Sequence, residues 1–108
     1  GKTYMYEFAW PSSVANGIYG AYHGLELPFV FNNLHIVTGE KGMVGAQGAP
    51  PELGEKMQNA WVEFAKTGSP GWDAYTTSAR KTMLINKTWQ LQTNPHAKVL
   101  AAWKGVRE

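Results

Sequence analysis

Hydrophobic and polar positions along this chain first alternate, then recur at helical spacing, then alternate again. Residues 3 to 10 read Thr-Tyr-Met-Tyr-Glu-Phe-Ala-Trp, with Tyr4, Tyr6, Phe8 and Trp10 on one face and the mostly apolar Met5 and Ala9 on the other. That pattern predicts a strand buried on nearly both sides, of the kind found inside a sheet covered by helices. Few other segments could flank it, so its neighbouring strands are expected outside the chain. From Pro11 to Tyr22 the periodicity collapses, and Pro11, Asn16, Gly17 and Gly20 predict a turning loop at the exit of the strand. Loops leaving a strand end are where sites are built. Leu25 to Leu34, broken by Pro28, predicts a short helical or irregular buried segment, and Gly39 to Pro51 a connector with no regular structure beyond a turn or two.

The clearest helix is predicted from Pro51 to Thr67. Leu53, Met57, Ala60, Trp61, Phe64 and Ala65 fall at helical spacing, while Glu52, Glu55, Lys56, Gln58, Asn59 and Glu63 fill the opposite face. Pro51 suits the first turn, Gly68 a C-terminal stop, and Pro70 lies just beyond. Lys81 to Asn86 and Thr88 to Thr93 read as a short hairpin, and Asn94-Pro95 opens a final helix that runs through Trp103 and closes at Gly105. No internal repeat or low-complexity block interrupts the order.

Composition narrows the classes. With 108 residues there is room for one ordinary domain at most, and 44% hydrophobic with 13% aromatic residues describes a folded chain rather than a disordered one. The formal charge is +2 and the basic residues are scattered, which argues against a nucleic-acid partner. No apolar run approaches the ~20 residues of a membrane span, so no membrane partner is expected. Gly1-Lys2-Thr3 leads directly into the strand pattern without a leader or an initiating Met, as expected of an excised segment. Cysteine is absent, which excludes a disulfide framework, thiolate zinc and thiol catalysis; the redox compartment is left open, with the expectation leaning to the cytoplasm and a secreted parent not excluded. His23, His35 and His96 have no metal-ligand spacing, so neither metal nor cofactor is expected. His35 and His96 read as surface or half-buried residues. The five Trp suggest sugar stacking only superficially, since Trp61 and Trp103 take helix core positions and Trp10 lies in the strand.

His23 stands apart from the other histidines. It follows Gly20 and precedes Gly24, and it comes after the buried strand, at the far end of the turning loop. One reading is a loop histidine that hydrogen-bonds a carbonyl. The other is a reactive imidazole, because flanking glycines let the backbone expose the ring while packing closely below it, and Glu26 lies within reach on a helical turn.

The run Gly20-Ala21-Tyr22-His23-Gly24-Leu25-Glu26-Leu27-Pro28-Phe29-Val30-Phe31 resembles the catalytic histidine signature of the type B carboxylesterases, the para-nitrobenzyl esterase and cholinesterase family. The likeness extends to the preceding strand, to Trp61-Val62-Glu63-Phe64-Ala65-Lys66-Thr67-Gly68-Ser69-Pro70, to Trp72 and Tyr75, and to the closing aromatic helix. It covers essentially the whole chain but only the C-terminal end of the much longer family chain. Asp73 departs from the proline that family members often carry after the tryptophan. The resemblance implies an α/β fold, specifically the C-terminal portion of an α/β-hydrolase: the last central strand or strands, the histidine loop and the C-terminal helices. Residues 1–108 would then form a segment of one carboxylesterase domain, not an independent complete domain.

By the same resemblance His23 is the general base and acid of a serine esterase, last in the chain order Ser, Asp/Glu, His. Glu26 matches a supporting carboxylate that biases the field around the imidazolium, against the plainer role of a helix-start or core hydrogen-bonding residue. Phe29 and Phe31, with Val30 between them, lie by resemblance near the acyl pocket, against simple core packing. The nucleophile is missing: Ser12, Ser13, Ser69 and Ser78 all lack the glycine flanks of a Gly-x-Ser-x-Gly elbow, and Gly39, Gly42, Gly45 and Gly48 resemble no oxyanion loop. The isolated chain is therefore expected to be inactive, its partners being a small-molecule ester and the preceding portion of the same enzyme. A rival is a catalytically silent cholinesterase-like binding or adhesion protein, which keeps the fold and loses the serine. A third is a free-standing module for small aromatic ligands, which would melt as a cooperative monomer.

Overall fold

The computed structural model describes residues 1–106. Within them the elements run β1 (Tyr6–Phe8), a 3-10 turn (Val14–Gly17), α1 (Leu27–Val30), α2 (Leu34–Val37), α3 (Pro51–Thr67), β2 (Lys81–Ile85), β3 (Gln90–Thr93) and α4 (Ala97–Trp103).

The strands form one sheet in the order β1-β2-β3. β1 pairs in parallel with β2, Tyr6 opposite Met83 and Phe8 opposite Ile85, and the pairing continues past β1 where the Ala9 N–H donates to the Ile85 carbonyl at 2.8 Å. A parallel pair needs a long crossover, and α3 supplies it. β2 and β3 pair antiparallel from Lys81 opposite Thr93 to Leu84 opposite Gln90, the hairpin that the sequence predicts. The expectation that every neighbour of β1 lies outside the chain is corrected on one edge, because β2 occupies it. Periodicity reports which face of a strand is buried but not which strand it pairs with. The expected strand over 3–10 is also regular only at Tyr6–Phe8, and Met5 and Tyr6 are exposed.

Alternation across β1 separates two layers. Tyr6 meets Trp61 of α3 edge-on, with ring centroids 5.0 Å apart, and Phe8 packs on Phe29 of α1, also at 5.0 Å. On the opposite face Glu7 reaches His96 at the start of α4, Oε2 to Nε2 at 2.6 Å. Helices thus lie on both faces of a partly parallel sheet, as the α/β class requires.

The core sits between β1, α1 and α3. Phe29 is 0% exposed and also touches Trp10, with centroids 5.2 Å apart; Leu25, Val44, Leu53, Met57 and Ile85 complete the cluster. α3 turns Leu53, Met57 and Ala60 inward and ends at Gly68, whose φ of 79° lets its N–H reach the Phe64 carbonyl at 2.8 Å. Gly54 is a mid-helix glycine with a packing reason: a Cβ there would meet Asn32 Oδ1 at 2.9 Å and Leu34 Cδ1 at 3.2 Å. Other predicted core positions prove exposed. Phe64 is 47% exposed although its ring meets Tyr4 edge-on with centroids 6.0 Å apart, and Trp103 is 57% exposed.

Candidate active site

β1 hands the chain through the buried Trp10 to a loop that closes on itself. The Ser12 N–H donates to the Gly20 carbonyl at 3.1 Å, and the Gly20 N–H to the Gly17 carbonyl at 3.0 Å. The reversal uses three consecutive residues with positive φ, Ala15 at 49°, Asn16 at 58° and Gly17 at 81°. Only glycine adopts such angles freely, so Ala15 is held there against a cost of about 1–2 kcal/mol.

What holds it is Ser12. This serine is 2% exposed; its hydroxyl lies 2.8 Å from the Met43 carbonyl and 3.1 Å from that of Val44, and accepts the Val14 N–H at 3.1 Å. Ser13 adds an N–H to the Val44 carbonyl at 3.3 Å and accepts the Gln47 N–H at 3.4 Å. The connector therefore acts as a floor beneath the loop. It turns tightly on itself, with the Val44 N–H on the Val37 carbonyl at 3.1 Å and the Gly39 N–H on the Gly45 carbonyl at 3.2 Å. Two of its glycines are required by close approach: a Cβ on Gly42 would lie 2.0 Å from the Val37 oxygen, and one on Gly45 2.2 Å from Ser13 Oγ and 2.9 Å from the Val14 nitrogen. The absence of regular structure is as expected for this stretch, but its role as a support was not read from the sequence. The signal was there in the three-residue spacing of Gly39, Gly42, Gly45 and Gly48 around a single buried valine, Val44.

His23 emerges from this loop on a turn closed by the Leu25 N–H on the Tyr22 carbonyl at 3.1 Å. Gly24 follows with φ of 78°, and the Leu27 N–H on the Gly24 carbonyl at 3.2 Å leads into α1. The turn is gripped on both sides. Leu25 is fully buried, and Tyr22, half-buried, packs on the core and donates its hydroxyl to the Met43 carbonyl. The imidazole between them is exposed and makes no hydrogen bond among the described residues. It lies past the carboxyl end of a strand in a parallel pair, the end of α/β sheets where ligands collect.

Glu26 is half-buried just before α1 and makes no side-chain hydrogen bond to His23 among the described residues. Its charge is felt at Tyr6: the partial covering of that side chain, whose ring meets Trp61, pushes the hydroxyl above its ordinary pKa, and Glu26 adds to the rise. Phe29 sits in the centre of the core and Phe31 projects into solvent at 67% exposed, so the two predicted pocket residues are not brought together. None of the four serines is hydrogen-bonded to His23 among the described residues, and Ser12 is committed to the loop floor. His35 and His96 are both exposed; the pairing of His96 with Glu7 across the sheet was not legible from a separation of 89 residues. Among the described residues no three His, Asp or Glu side chains converge as a metal site, and no helix is long and apolar enough to cross a membrane. An aromatic cleft of about 320 Å³, bordered by Tyr4, Tyr6, Trp61, Phe64 and Trp72, opens between β1 and α3 without including His23.

Comparison with known proteins gives this arrangement a context. The sequence model of the carboxylesterase family matches residues 1–103. The chain is 34% identical over 102 residues to the para-nitrobenzyl esterase of Bacillus subtilis, covering 87% of this chain and 20% of that protein. Among solved structures, a PNB esterase superposes with a TM-score of 0.74 at 30% identity over 93% of this chain and 21% of its own. A Geobacillus stearothermophilus carboxylesterase superposes with a TM-score of 0.74 at 33% identity over 95% of this chain and 22% of its own. The chain thus spans about a fifth of the length of the relatives it matches. A family match over nearly the whole sequence, with the same backbone at about 30% identity, leaves one assignment: this chain belongs to the carboxylesterase family, as part of an α/β-hydrolase fold.

Proposed function

We propose that this chain is the histidine-bearing segment of a serine carboxylesterase that hydrolyses small esters. The observation that carries the reading is the placement of His23: an unencumbered imidazole on a turn clamped by Tyr22 and Leu25, past the carboxyl end of a parallel strand. A serine from outside this chain attacks the ester carbonyl carbon while the His23 imidazole takes the hydroxyl proton. The tetrahedral intermediate collapses, the alcohol leaves with that proton, and an acyl-enzyme remains. Water, deprotonated by the same imidazole, then releases the acid and frees the serine. The acid that orients His23 also comes from outside the chain.

Surface area supports the reading of a part of a larger domain. A compact monomer of 108 residues exposes about 6,000 Å², whereas this chain exposes 7497 Å². Its radius of gyration is 15.7 Å, against about 13 Å for a compact domain of the same length. The excess area is apolar in many places, including Ile18 at 78% exposed, Ile36, Phe64, Val99 and Trp103. The free edge of β1 belongs to the same surface. Met5 and Ala9 direct a carbonyl and an N–H to β2, so by alternation the backbone groups of Tyr6 and Phe8 point away from it, where no strand lies among the described residues. We assign the cover of this edge and these faces to the rest of the carboxylesterase domain.

The test is to label the full-length enzyme carrying this segment with a fluorophosphonate and to measure hydrolysis of 4-nitrophenyl acetate, with and without His23→Ala. Labelling of a serine outside this segment and a loss of several orders of magnitude in turnover are expected. Near-normal hydrolysis by the variant would reject His23 as the base. Absence of any labelled serine would instead favour a silent binding relative.

A further inference from the structure

We infer that Tyr22 is a positioning residue for His23, acting through the hydrogen bond from its hydroxyl to the Met43 carbonyl. The inference rests on His23 being the general base proposed above. Its physical ground is the scarcity of other restraints on the imidazole. Glycines with positive φ, Gly20 at 58° and Gly24 at 78°, stand on either side of the histidine turn, and a Cβ on Gly20 would meet nothing within 4 Å. Gly20 is tied to Ser12 and Gly17 and Gly24 to Leu27, but between them the N–H groups of Ala21, Tyr22 and His23 make no backbone hydrogen bond, and the imidazole has none of its own among the described residues. The turn is held downstream by Leu25, whose side chain is fully buried and whose N–H closes on the Tyr22 carbonyl at 3.1 Å. On the upstream side the hold is Tyr22 itself.

Tyr22 is suited to this by the division of its side chain. The ring is half-buried against the core and meets Tyr19 edge-on, with centroids 6.3 Å apart, while the hydroxyl reaches the loop floor. That floor is stiff. The Met43 carbonyl belongs to a segment whose Gly42 and Gly45 backbones pass too close to Val37, Ser13 and Val14 for any Cβ, and Ser12 donates to the same oxygen at 2.8 Å. A carbonyl oxygen has two lone pairs, so it accepts from both hydroxyls at once. One acceptor atom therefore registers the start of the loop and the residue before His23 against the same rigid support. Removing the Tyr22 hydroxyl leaves the carbonyl satisfied by Ser12 and the ring packed, so the loss falls on the histidine turn and not on the fold.

The experiment combines Tyr22→Phe and His23→Ala, singly and together, in the full-length enzyme carrying this segment, with 4-nitrophenyl acetate as substrate. Tyr22→Phe is expected to lower kcat about tenfold with KM changed less than twofold, since a slightly misplaced base slows proton transfer without altering ester binding. In the His23→Ala background the same change is expected to alter the residual rate less than twofold, because the group through which the hydroxyl acts is gone. Hydrogen exchange supplies a second readout: the Leu25 amide should exchange faster in Tyr22→Phe, while the amides of Leu53 and Met57 in α3 keep their protection. A kcat within twofold of the unmodified enzyme, an equal loss in both backgrounds, or unchanged exchange at Leu25 would each overturn the inference. Full activity of His23→Ala alone would remove the underlying reading, and that outcome is seen before Tyr22 is changed at all.

Discussion

Replacing Gly45 by alanine tests the claim that the connector is a floor for the histidine loop. Two costs are separable at this position. The backbone has φ of 91°, which an L side chain adopts at an expense of about 1–2 kcal/mol. The new Cβ would also stand 2.2 Å from Ser13 Oγ, 2.9 Å from the Val14 nitrogen and 3.1 Å from the Ser13 carbonyl carbon, two of these being backbone atoms that a rotamer change cannot move. Forcing the segments apart adds about 1–3 kcal/mol of overpacking. The total is roughly 2–5 kcal/mol. Gly68→Ala is the matched control. It has φ of 79° with nothing within 4 Å of the added Cβ, so only the conformational cost of about 1–2 kcal/mol applies. Urea unfolding of the two variants of the full-length enzyme, read as midpoint shifts at constant m, should place Gly45→Ala roughly 1–3 kcal/mol below Gly68→Ala. Equal losses would refute the close approach, and with it the support assigned to the connector. Because the Ser13 N–H on Val44 is the contact being pried open, Gly45→Ala should also lower kcat for ester hydrolysis, whereas Gly68→Ala should not.

Two further outcomes follow from β1. The Tyr6 hydroxyl has a folded pKa raised above the ordinary 10.0 by burial and by the charge of Glu26, so folding holds a proton there that the unfolded chain releases. Its stabilising contribution is whole below pH 10.0 and is lost as pH rises through the folded pKa; stability measured across that range should decline in the parent chain, and Tyr6→Phe should remove this part of the slope. An identical slope in Tyr6→Phe would assign the decline to other groups. The free edge of β1 gives the second outcome: the amides of Tyr6 and Phe8 should exchange rapidly in the 108-residue chain and slowly in the full-length enzyme, while Ala9, bonded to Ile85 at 2.8 Å, stays protected in both. Equal exchange of Tyr6 and Phe8 in the two forms would show that no further strand pairs there.

Local chemistry was the part of this protein open to reading from the sequence. α3 was legible with its boundaries because its signals lie in one continuous stretch: Pro51 at the start, Leu53, Met57 and Ala60 at helical spacing, Gly68 at the end. The hairpin of β2 and β3 was legible for the same reason. The histidine turn was recognisable because Gly20, His23, Gly24 and Glu26 stand together in a short run. Glu26 and Phe31 show where such reading stops. The family resemblance implied a supporting carboxylate at Glu26 and a pocket wall at Phe31, but whether a side chain points at His23, at Tyr6 or into solvent depends on the turn of α1 against β1 and α3.

What only the tertiary structure decided is everything that joins distant segments. The parallel pairing of β1 with β2 brings together residues more than seventy positions apart, as with Phe8 and Ile85, and no alternation pattern specifies that partner. In the sequence Ser12 shows only that it lacks the glycine flanks of a nucleophile elbow; the Met43 and Val44 carbonyls that bind its hydroxyl lie 31 and 32 residues away. The difference has one physical origin. Helix periodicity, caps and turn glycines are set by interactions within a few residues, so the sequence determined them alone. A buried polar group such as the Ser12 hydroxyl must be satisfied by whichever carbonyl the fold brings near, and for it, as for the half-buried Tyr22 and the exposed His96, the partner exists only once the chain has closed on itself.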